Sequence, residues 1–247
     1  MTRLLIAVVV LSVALPAQAA QQAATWGAEI RVGSYDPRIG NQAERDYYQL
    51  VFGNESPLLI GLELDRYFMH IFGLIGVYVR VGQWKLAGKA RQCRDATGSV
   101  IDCTPDTVGG STEAPDETTL LVVPVSLGAV YRFDLLKEEL GIPLVPYGKL
   151  GLDYFFWWAR TGGEVSSATV NGESREGKGG TAGFHGALGL SLNLDWIEPH
   201  STDERRIFRD SYLFAEVSWI KANQFGERER LDFSDQQISF GLALDFP

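Results

Sequence analysis

Twelve ionisable side chains share one side of an alternating pattern in this sequence: Glu29, Arg31, Glu63, Asp65, Arg80, Arg132, Asp134, Lys149, Asp153, His185, Asp195 and Glu216. Such groups can serve acid–base catalysis, ion conduction or metal binding, and each of these chemistries demands its own spacing. A hydrolase needs a nucleophile, a base and an orienting acid brought together. The histidines are His70, His185 and His200. His185 shares its face with Ser191 and Asp195, but at ~3.3 Å per residue Ser191 stands ~20 Å away. Glu216 or Ser218 on another segment could stand nearer, depending on register. The scattered histidines and the cysteine pair show no metal-ligand spacing. The acids Asp102, Asp106, Glu113, Asp116 and Glu117 do not follow a calcium-loop pattern. The Gly/Ser-rich stretch Gly163–Gly180 lacks the GK[ST] of a phosphate loop. The sequence therefore assigns no catalytic residue, no metal site and no cofactor, and the protein is read as no enzyme.

The elements that carry these residues repeat with period 2, the mark of a strand with two different faces. In TWGAEIRVGSY, Trp26, Ala28, Ile30 and Val32 oppose Gly27, Glu29, Arg31 and Gly33. In PLLIGLELD, Leu58, Ile60, Leu62 and Leu64 oppose Leu59, Gly61, Glu63 and Asp65. The same alternation runs through LIGVYVRVGQW, TTLLVVPVSLGAVYRFD, PYGKLGLDYFFWW, AGFHGALGLSLNLDW, YLFAEVSWI and QISFGLALDF, eight segments in all. Many exceed the ~5–6 residues of a soluble strand. A soluble barrel or sandwich would alternate too, but apolar inside and polar outside. Here the face opposite the apolar one is glycine-rich and charged rather than uniformly hydrophilic. The expected fold is all-β: a transmembrane antiparallel up-and-down barrel of eight strands. Such a barrel satisfies its backbone without water.

The flanking signals agree. Arg3, the apolar run Leu4–Leu15, Pro16 and Ala17–Ala19 have the layout of a secretory signal peptide. Cleavage after Ala19 is expected, with an uncleaved anchor as the alternative, leaving 20–247 as a single barrel domain. Connections after odd segments are long and polar (36–56, 84–118, 160–180, 221–235), and those after even segments are shorter (66–71, 135–144, 197–209). That asymmetry puts both termini in the periplasm. Trp26, Tyr35, Trp84, Trp157, Trp158, Trp196 and Trp219 lie near segment ends, as interfacial girdles require. Cys93 and Cys103 predict a disulfide in the longest outer loop. With 22 Lys and Arg against 31 Asp and Glu and no basic cluster, nucleic acid is no expected partner.

An eight-stranded barrel is just wide enough for side chains to fill. Inward charges must then pair or be hydrated. The expected arrangement is one lumen network of Arg31, Arg80, Arg132 and Lys149 with Glu29, Glu63, Asp153 and Glu216. It would act as a polar plug; a narrow channel for ions or small solutes is the alternative, and a catalytic or small-ligand site, as in an envelope-lipid-modifying enzyme, a distant third. His185 is expected to be a hydrogen-bonded interior residue.

The chain as a whole resembles the small OmpA/OmpX-like outer-membrane barrels. More narrowly, it is similar to a family of predicted outer-membrane barrels from myxobacteria. The residues carrying this are GLELD (Gly61–Asp65), VYRFD (Val130–Asp134), PYGKLGLDYFFW (Pro146–Trp157), YLFAEVSW (Tyr212–Trp219) and LDFSDQQISFGLALDF (Leu231–Phe246). The resemblance implies a bacterial outer-membrane location and no activity. Its expected partners are outer-membrane lipid and, during biogenesis, the barrel insertion machinery. A monomer is expected, with the outer loops as the candidate binding surface for an unknown ligand. The alternating Ile238, Phe240, Leu242, Leu244 and Phe246 resemble the C-terminal insertion signal of such barrels, displaced by one residue because Pro247 follows.

Overall fold

The computed structural model describes residues 26–37, 39, 51–52, 56–94, 97, 99–101, 112–170, 173–194, 209–226 and 231–246. The signal peptide, Cys103, Trp196 and Pro247 lie outside these. Eight long strands dominate: β1 (Trp26–Ser34), β2 (Leu58–His70), β3 (Leu74–Arg94), β4 (Thr112–Arg132), β5 (Leu144–Thr161), β6 (Lys178–Asn193), β7 (Asp210–Lys221) and β8 (Asp235–Phe246). Each pairs antiparallel with its sequence neighbour, and β8 returns to pair with β1 over Trp26↔Phe246 to Ser34↔Ile238. No long edge between neighbouring strands is left open, because the sheet closes on itself.

The register fixes the barrel's shape. One row of partners runs Lys221, Phe184, Leu152, Leu127, Val79, Leu64, Ala28, Leu244 and back to β7 at Ser211, a stagger of ten residues per circuit. With ~3.3 Å per residue and ~4.8 Å between strands, the strands incline by ~40° to the axis.

The faces follow the period-2 reading on all eight strands. Leu150 is 71 % exposed while its neighbour Lys149 is 2 %. The same contrast separates Leu62 from Glu63, Leu213 from Phe214 and Leu242 from Ala243. Exposed Leu, Ile, Val and Phe thus wrap a charged interior, the reverse of a soluble barrel. No helix among the described residues is long and apolar enough to cross a membrane.

Three local expectations are corrected. The connections 84–118 and 160–180 are in large part strand. The β3–β4 ladder continues to Gln92↔Thr112, and β5–β6 to Lys178↔Trp158. A further hairpin pairs Ser167–Val170 with Glu173–Glu176. The connection 135–144 holds a short helix, Leu135–Leu140, stopped by Gly141 at φ 66°, where glycine carries no Cβ penalty. Tyr35 and Trp84 are not girdle residues: both are 1 % exposed and point inward, because they share the parity of Gly33 and Gly82. Trp157 also packs on the interior cluster, whereas Trp26 and Trp219 remain on the outer face.

Candidate functional site

The lumen is filled in layers, and the layers come from register. Glu29, Glu63, Arg80, Ser126 and Asp153 form one row across five strands. This places the Glu29 and Glu63 carboxylates directly opposite each other, an unfavourable pair unless a cation intervenes. Lys149 supplies it from β5. Its Nζ donates to Glu29 Oε1 and Oε2 at 3.0 and 2.9 Å and to Glu63, and lies 3.8 Å from Glu216. Arg31 donates to Glu216 Oε1 and Glu29 Oε2, each at 2.7 Å, and lies 3.5 Å from Glu63. Arg80 donates to Glu63, and to Glu216 at 3.4 Å. Ser218 Oγ donates to Glu216 at 2.9 Å. Three cations and three glutamates therefore balance in a closed cluster drawn from β1, β2, β3, β5 and β7.

Asp65 is the group left over. Its carboxylate lies with those of Glu29 and Glu63 within 4.8 Å. It is 1 % exposed, and its Oδ1 has no hydrogen-bond partner among the described residues. Sequence parity identified it as inward, but nothing in the sequence distinguished it from its paired neighbours.

Two members of the expected network lie outside this cluster: Arg132 stands in another layer, and Asp153 shares the row but pairs elsewhere. Arg132 is six residues from Ser126, the partner of Arg80, so it stands ~20 Å along β4 from that level. It donates instead to Asp245 at 2.9 and 3.0 Å and lies over the rings of Tyr212 and Tyr67 at 4.5 and 5.4 Å. This clamp fills the turn end of the lumen. Asp153 accepts from Ser126 Oγ at 2.6 Å and faces His185 Nδ1 at 2.8 Å. The other ring nitrogen, Nε2, faces the Tyr78 hydroxyl at 2.6 Å.

The Tyr78–His185 contact crosses two strands, and two glycines make room for it. Tyr78, Gly128, Gly151 and His185 form one row. A Cβ at Gly151 would lie 2.3 Å from the Tyr78 hydroxyl. The Asp–His–hydroxyl order has a superficial likeness to a triad. However, its terminal hydroxyl is a tyrosine that is 1 % exposed, while Ser126 sits behind Asp153 and Ser218 binds Glu216.

At the loop end the lumen turns apolar. Tyr35, Trp84, Phe155 and Phe233 pack with Leu59, Leu86, Leu120 and Val122. Phe155 and Phe233 stack at 5.3 Å with planes 5° apart, and the Tyr35 hydroxyl donates to the Phe233 carbonyl. Sequence reasoning missed this aromatic cap, although the parity of Trp84 with Arg80 and Gly82 carried the signal.

An inward charged stack under an outward apolar band decides the class. The chain is a closed eight-stranded antiparallel barrel of the membrane-spanning kind. Several solved structures are similar to it over most of its length. A Neisserial surface protein A structure is 11 % identical, covering 90 % of this chain and 96 % of that one, with TM-score 0.41. The N-terminal β-barrel domain of Pseudomonas aeruginosa OprF is 12 % identical, covering 89 % and 97 %, with TM-score 0.38. A major outer membrane protein from Thermus thermophilus is 12 % identical, covering 91 % and 100 %, with TM-score 0.43. No family model and no curated protein matches the chain.

Beyond the membrane band, Cys93 is buried on the extended part of β3 and is disulfide-bonded. Its expected partner, Cys103, lies outside the described residues. Thiol labelling of the unreduced, denatured protein is expected to find no free cysteine, and labelling of both would reject the Cys93–Cys103 pairing.

Proposed function

We propose that this is an outer-membrane barrel with a sealed lumen, serving a structural or surface-interaction role through the segments at its loop end. Both termini would lie in the periplasm, since the two shortest connections, 71–73 and 133–143, sit at the end where β1 begins and β8 finishes. The observation that carries the reading is the lumen itself. An aromatic cap, a six-charge cluster and the Arg132–Asp245 clamp occupy successive levels, and a pore would need all three to move. The charges of the middle layer favour a second reading, a narrow ion path; the cap opposes it. Reaction chemistry has less support, because the His185 group is enclosed.

The test is electrical. Purified protein in planar bilayers is expected to give no large, steady, porin-like current. Such currents, abolished by unfolding, would overturn the sealed barrel and favour the channel.

A further inference from the structure

We propose that the turn end of the barrel holds a binding site for one divalent transition-type cation, such as Zn²⁺, formed by His70, Asp134 and Glu138. His70 is the last residue of β2, Asp134 precedes the short helix that follows β4, and Glu138 lies within it. Sequence spacing does not reveal the set, because 64 residues separate His70 from Asp134. Closure of β2, β3 and β4 brings them together. His70 Nε2 lies 3.2 Å from Asp134 Oδ1 and 3.7 Å from Glu138 Oε2. Zinc bonds of ~2.0–2.1 Å in tetrahedral geometry place ligand atoms ~3.3 Å apart. The observed separations bracket that edge, so a cation could be seated with small side-chain adjustments.

Charge points the same way. Two carboxylates face one imidazole, so even a protonated His70 would leave the group negative. Lys137 does not compensate, because its ammonium is turned away to Asp210 and the Tyr212 hydroxyl. Asp134 occupies the N-cap position of the helix yet makes no side-chain capping bond, which leaves its carboxylate directed at His70. The Glu138 side chain is 47 % exposed, giving an ion access from water and room for a solvent ligand in the fourth position. A mixed nitrogen and oxygen donor set suits zinc-class metals better than Ca²⁺ or Mg²⁺, which take oxygen.

The experiment is Zn²⁺ titration of the folded protein in detergent, prepared without a polyhistidine tag, with Co²⁺ absorption reporting four-coordinate geometry. Saturable binding of one Zn²⁺ per chain is expected. His70→Ala should abolish it, and Glu138→Gln should weaken it ~10-fold or more, as loss of even an outer-shell partner does. Both variants should keep the heat-dependent gel mobility of the folded barrel, since neither residue lies in the lumen layers. Absence of saturable binding by the wild-type protein, binding of wild-type strength in both variants, or displacement of Zn²⁺ by equimolar Ca²⁺ would each overturn the site.

Discussion

Replacing Lys149 by methionine is expected to destabilise the folded barrel by ~3–5 kcal/mol, the usual result of breaking a buried ion group by removing one partner. Lys149 is 2 % exposed and reaches all three glutamates of the cluster. Methionine matches its length but leaves Glu29 and Glu63 directly opposite each other, with only Arg31 and Arg80 to compensate three carboxylates. Denaturant unfolding in lipid vesicles, followed by tryptophan emission and gel mobility, measures the loss. A second variant separates charge from packing. Lys149→Met with Glu63→Gln restores the balance and should recover part of the stability, because neighbouring changes of this kind do not add. If Lys149→Met unfolds like the wild type, the cluster is hydrated and the lumen is not sealed.

Leu242→Arg is expected to cost ~2–4 kcal/mol, because lipid at mid-depth cannot solvate the charge. Leu242 is half-exposed on the outer face of β8, level with Ile30 on β1 and Leu213 on β7. Ser239, on the inner face of the same strand and 1 % exposed, should accept asparagine at far smaller cost. A soluble barrel would also resist an arginine in its core, so the sign of the effect needs an independent reading. Tryptophan placed at Leu242 or at Ser239, in a background without the native tryptophans, supplies it. Lipid-borne bromine should quench the first strongly and the second weakly. Equal quenching, or the reverse order, would show that the strand faces are wrongly assigned.

Alternation alone carried most of the fold. Leu58 to Leu64, or Leu188 to Leu192, cannot share a helical face, and their inward neighbours are glycines and charges; hence the strands and both faces were legible. Register was not, because it depends on turns and bulges distributed around a closed sheet. That is why Glu29, Arg31, Glu63, Arg80, Lys149 and Glu216 could be named as inward residues but Arg132 and Asp153 could not be separated from them. The helix Leu135–Leu140 was readable in principle. Asp134 stands before it and Gly141 after it, the ordinary start and stop signals. Six residues, however, are too few to show a helical period. The grouping of His70 with Asp134 and Glu138 depends on that same helix and is hidden with it.

The lumen contacts also set the order in which the molecule can assemble. Arg31 meets Glu216 across 185 residues, Lys149 meets Glu29 across 120, and Tyr35 meets Phe233 across 198. Hairpins between neighbouring strands can form early, since they close short loops. The charge cluster cannot, because its members from β1 and β7 meet only when β8 zips onto β1. Until that seam forms, Glu216 lacks Arg31, and the inner face is an open charged sheet that no bilayer interior tolerates. A half-inserted barrel is therefore disfavoured, and strand insertion and seam closure become a single concerted event with a high entropic barrier. Folding should be slow and all-or-none, with unfolding equally abrupt once the seam is lost.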